Sequence, residues 1–104
     1  MSAPDLDALD LLRRRVERVA EVSALTAKAM KLSQATSGME MDVLRIELEI
    51  GRNPGNAQLA QELHQIEDSV ETMREAQAAC AEEIAAAEED VAVLDRLIAA
   101  ARGG

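Results

Sequence analysis

From Leu59 to Ala101, core-type residues recur at alternating steps of four and three: Leu59, Leu63, Ile66, Val70, Met73, Gln77, Cys80, Ile84, Ala87, Val91, Leu94, Ile98 and Ala101. This spacing is a heptad seam, the mark of a helix that buries one narrow stripe against another helix. Leu63, Val70, Gln77, Ile84, Val91 and Ile98 take the a positions and the others d. Gln77 is the polar interruption near the middle of the seam, and it reads as a buried residue that fixes register. The intervening residues are rich in Ala, Glu, Gln and Arg, all strong helix formers.

The first half of the chain repeats the pattern with more noise. Its seam is Leu9, Leu12, Val16, Val19, Val22, Leu25, Ala29, Leu32, Thr36, Met39, Val43, Ile46 and Ile50, and it slips once between Val19 and Val22, where a three replaces a four. Ser2 or Pro4-Asp5 is expected to start this helix, and Gly51 to end it at C′. Between the halves lies "GRNPGN", with the turn pairs Asn53-Pro54 and Pro54-Gly55. Asn53 is expected to cap the second helix, with Pro54 at its first position, where a missing N–H costs nothing. The expected layout is one domain: a helix over 4–51, a turn over 51–56 and a helix over 54–102. Gly38 lies within Ser37-x-x-Glu40, a capping-box pattern that could break the helix near residue 37 and start a second one at Gly38, but Thr36 and Met39 stay in phase, so the helix is expected to continue.

Folding the chain at this joint layers one seam on the other. Ile50 meets Leu59, Ile46 meets Leu63, Val43 meets Ile66 and Met39 meets Val70, and the series continues outward to Val22 with Ala87. Beyond the slip it shifts by one, to Val19/Val91, Val16/Leu94, Leu12/Ile98 and Leu9/Ala101. The fold expected is all-α: a long antiparallel two-helix coiled-coil hairpin, open to pairing into a four-helix bundle. Its stem would be roughly 70 Å at 1.5 Å per residue. Charge agrees with this register. The basic run "RRRVER", Arg13 to Arg18, lies beside Glu88, Glu89, Asp90 and Asp95, with Arg13 expected near Asp95 and Lys28 near Glu83.

With 20 acidic and 11 basic residues the net charge is −9. That argues against nucleic acid or an anionic membrane as the partner. No stretch is apolar enough for a membrane span, so no membrane insertion is expected. "MSAPDLDALD" is acidic where a signal peptide is basic and then apolar, which makes a cytoplasmic location the expectation, with signal-less secretion still open.

Residues suited to catalysis are sparse. His64 is the one histidine, and with Glu67 it forms a one-turn pair; an exposed polar residue is the ordinary reading. Cys80 lies in the seam, where a small buried thiol is ordinary. The glycines form no phosphate-cradling loop, and a two-helix hairpin is expected to lack a ligand-sized pocket. No catalytic, cofactor-binding or metal-ligating residue is therefore assigned, no cofactor is expected, and the chain is not expected to be an enzyme. Interaction is better supported. Met41, Leu44 and Leu48 recur on the outward face of the first helix, within an acidic rim that includes Glu40, Asp42, Glu47 and Glu49. They are the expected partner-binding residues, for a protein partner or for self-association into a homo-oligomer, and Val93 and Leu97 make a smaller patch.

"NPGNAQLAQELHQIEDSVETM", Asn53 to Met73, resembles the turn and second-helix start of needle and inner-rod subunits of type III secretion systems. The shared features are a Pro- and Asn-containing turn and a Leu/Gln-rich helix. The likeness covers about a fifth of the chain. Glu67-Asp68 stands where an aromatic is usual, and the chain is longer and ends in Arg102-Gly103-Gly104. The resemblance implies a small helical subunit of a secretion apparatus, or its chaperone, as the alternative to a general coiled-coil assembly module.

Overall fold

The computed structural model describes residues 3–103. Helix α1 spans Ala3–Arg52 and helix α2 spans Ala57–Gly103, and no strand occurs among the described residues. The chain is an all-α antiparallel two-helix hairpin. A start at Ser2 lies outside the described residues, and the backbone is already helical at Ala3. Gly38 sits inside α1 with space open around the place of a Cβ. Ser37 and Glu40 therefore start no new helix, and the glycine costs about 1 kcal/mol against alanine.

The joint differs from expectation in the roles of its two asparagines. α1 runs through Gly51 to Arg52, and Gly51 takes no positive φ. The residue before a proline is pushed out of the helical region, so Asn53, not Gly51, ends the helix. Its backbone N–H donates to the carbonyls of Glu49 and Ile50 at 3.0 and 3.1 Å, and its Nδ2 donates to the Glu49 carbonyl at 3.4 Å. Pro54-Gly55 then forms a turn closed by the Asn56 N–H donating to the Asn53 carbonyl at 3.1 Å. Asn56 is the N-cap of α2, because its Oδ1 accepts from the N–H groups of Gln58 and Leu59 at 3.0 and 3.3 Å. Pro54 lies in the turn, where its fixed φ suits the second position, and α2 starts three residues later than expected. Asn56→Ala should cost about 1 kcal/mol in urea unfolding and Asn53→Ala clearly less. The reverse order would restore Asn53 as the cap.

Contacts group the residues into two compact units, one of Ala29–Ala79 and one of the residues up to Lys28 with those from Cys80 on. In the Ala29–Ala79 unit the seam is as read from the sequence. Thr36, Ile46 and Val70 are buried, and Leu32, Met39, Val43, Ile50, Leu59, Leu63, Ile66 and Met73 are half-buried. Gln77 is only half-buried, so the buried polar residue of the seam is Thr36. The threonine hydroxyl donates to the Leu32 carbonyl at 2.7 Å within its own helix and needs no partner across the seam, whereas a glutamine is long enough to reach solvent. Arg74 bridges to Glu40 at 3.5 Å across the pair.

The other unit corrects the sequence reading. Cys80, Ala87, Leu94 and Ile98 are buried on α2, and Ala8, Leu11, Leu12, Arg15, Val22 and Leu25 are half-buried on α1. Leu9 and Val16, expected in the seam, are 56% and 68% exposed, and Val19 is exposed as well. The four-three alternation runs back from Leu25 through Val22, Arg18, Arg15 and Leu11 to Ala8, with Arg15 half-buried and Arg18 exposed at its place. An arginine is tolerated at such a place because its aliphatic stem covers apolar surface while its head reaches water. Here acidic residues meet those heads. Arg15 Nε lies 2.5 Å from Asp95 Oδ1, and Arg18 reaches Asp90 at 3.2 Å and Glu21 at 2.5 Å. Asp95 thus takes Arg15, not Arg13, and no bridge joins Lys28 to Glu83 among the described residues. The hydrogen bond to Asp95 raises the pKa of Arg15, and the hydrogen bond to Glu21, with Asp90 nearby, raises that of Arg18. A raised basic pKa adds stability at every pH below the ordinary arginine range, fading only above it.

Candidate interaction surface

Helical geometry puts residues three and four apart on one face. With Thr36, Met39, Val43 and Ile46 turned toward α2, Met41, Leu44 and Leu48 fall on the opposite side. They are 71%, 61% and 66% exposed. The acidic rim around them is partly neutralised, since Asp42 bridges to Arg45 at 3.2 Å and Glu40 to Arg74. Leu44 also stands at the edge of a surface groove of about 520 Å³ lined by Glu40, Val43, Glu67, Val70, Glu71 and Arg74. This groove was not expected from the sequence. It arises where the small side chains of Val43 and Val70 lie between longer charged ones. Val93 and Leu97 are exposed on α2 in the other unit.

Four further large apolar residues of α1, Leu9, Val16, Val19 and Met30, are also exposed. The first three pass as core in the sequence. Met30 had a usable signal: eleven residues before Met41 is close to three full helical turns.

The groups suited to chemistry stay apart. His64 and Glu67 are exposed, and no group of three His, Cys, Asp or Glu residues that could hold a metal occurs among the described residues. Cys80 is 1% exposed, and its thiol donates to the Leu25 carbonyl at 3.4 Å. No described helix is long and apolar enough to cross a membrane. Comparison with known protein families, curated proteins and solved structures finds no match to this chain.

Proposed function

We propose that this chain is a non-catalytic assembly module that works through helix–helix contacts, with Met41, Leu44 and Leu48 at the centre of its partner surface. The observation that carries this reading is the exposure of all three on one face of α1. Surface leucines occur singly on most proteins, but a contiguous apolar patch rimmed by charge marks an interaction site. The small core supports the same reading. The chain exposes 7401 Å², whereas a compact monomer of its mass exposes about 5,700 Å². A hairpin with so little buried surface gains much from a second layer of helices.

The test compares the wild-type chain with Leu44→Glu/Leu48→Glu by sedimentation, by capture of partners from the source cell and by circular dichroism. The double variant should lose association while keeping its helicity. Unchanged mass together with unchanged capture would return the patch to ordinary surface.

A further inference from the structure

Leu9, Arg13, Val16, Ala20, Ser23 and Ala27 recur along α1 at alternating steps of four and three. The same alternation runs on through Met30, Gln34, Ser37, Met41, Leu44 and Leu48. All of these residues are exposed. Together they make a second heptad pattern on α1, away from the seam that meets α2, and Arg13 is its one charge in a chain that is 30% charged. The matching outward positions of α2 include Asp68, Glu71, Glu75, Glu82, Glu89 and Arg96. These positions of α2, which otherwise hold Gln61, His64 and alanines, carry no large apolar residue, whereas six of the twelve on α1 do, so the α1 face has the composition of a covered face.

We infer that a second copy of this chain covers it, the Met30–Leu48 face of one copy packing antiparallel on the Leu9–Ala27 face of the other. This rests on the assembly reading above and names its partner. The register sets Leu48 on Leu9, Met41 on Val16 and Met30 on Ala27, with the polar or small residues Gln34 and Ser37 meeting Ser23 and Ala20. Charge selects the second copy as occupant. At the flanks, Arg45 falls beside Glu17 and Arg52 beside Asp10 of the other chain, and Arg13 lies against Leu44 between Glu40 and Glu47. A parallel arrangement would set Arg13 on its own copy inside the contact, whereas the antiparallel register sets only the flanking Lys31 beside its own copy. Arg45 and Asp10 now bridge to Asp42 and Arg14 of their own helix, exposed one-turn pairs that exchange partners at little cost.

The register is tested with two Cys80→Ser chains, one carrying Val16→Cys and one Met41→Cys, mixed and oxidised. A disulfide between position 16 of one chain and position 41 of the other should be the main product. Self-linking of Met41→Cys chains as the main product would mean parallel packing and overturn the proposal. So would a chain that sediments as an 11.2 kDa monomer at the highest attainable concentration, and a foreign partner would then have to account for the Leu44→Glu/Leu48→Glu result. As a second arm, Glu17→Arg and Arg45→Glu should each weaken self-association about tenfold, and the two combined should restore it. Failure to restore overturns the pairing.

Discussion

Ile46→Asp is expected to abolish the helical signal of the Ala29–Ala79 unit, while Leu48→Asp, two residues on, leaves it nearly unchanged. Ile46 is 4% exposed, between Val43 and Ile50 in the seam. The substitution loses about 1.5–3 kcal/mol of apolar burial. It also places a carboxylate where no cation or donor meets it, which costs several kcal/mol more or forces the helices apart. A chain of this size has about 5–15 kcal/mol of stability in all, and a two-layer hairpin belongs at the low end of that range. At Leu48 the same residue stands in water and costs only its lower helix propensity, roughly 0.5 kcal/mol. Far-UV circular dichroism at 25 °C separates the two, taking 25 °C as the reference temperature of these energies. Equal losses in both variants would mean that the inner and outer faces of α1 have been exchanged.

Leu44→Glu with Leu48→Glu should produce the opposite pair of effects, full loss of association with no loss of fold. Both side chains are more than half exposed, so in the isolated chain the carboxylates stay hydrated. In an apolar contact they must be stripped of water beside Glu40, Glu47 and Glu49, and the one cation that the antiparallel register brings, Arg13 of the second copy, reaches only position 44 and already stands between Glu40 and Glu47. Each such burial costs several kcal/mol, and every 1.4 kcal/mol is a tenfold change in affinity. Two together therefore remove any micromolar complex. Leu44→Ala with Leu48→Ala should weaken it far less. If the alanine pair acts as strongly as the glutamate pair, the loss lies in shape and contact, and the desolvation argument fails.

The elements of this fold were readable in the sequence where apolar side chains alone set the pattern. Every seam position of α2 from Leu59 to Ile98 is at least half-buried, because Leu, Ile, Val and Met there have no rival phase. Near the start of α1 two phases compete. Val16 and Val19 look like core, while Arg15 and Arg18 look like surface. The phase that wins keeps the heptad unbroken, and the two arginines fit it because Asp95 and Asp90 stand within reach. Hydropathy scores the guanidinium and misses the stem. At the joint, Asn53 and Asn56 are equally good caps by type, and only the backbone bonds around Pro54 assign one to each helix. The patch at Met41, Leu44 and Leu48 was visible because no inner-seam role competed for it. Its continuation through Leu9 and Val16 was not, because both had been spent on the core.

The proposed assembly requires the outward face of α1 to be covered when the protein works. Hydroxyl-radical oxidation of Met30 and Met41, followed peptide by peptide across a protein concentration series, tests it most directly. Both methionines are well exposed in the single chain, at 61% and 71%, and Met39, half-buried against α2, is the internal reference. Met30 and Met41 are expected to oxidise faster than Met39 in dilute protein and to become protected as concentration rises, while the rate at Met39 stays constant. Rates at Met30 and Met41 that do not change with concentration, in a protein whose mass stays at 11.2 kDa, would contradict it.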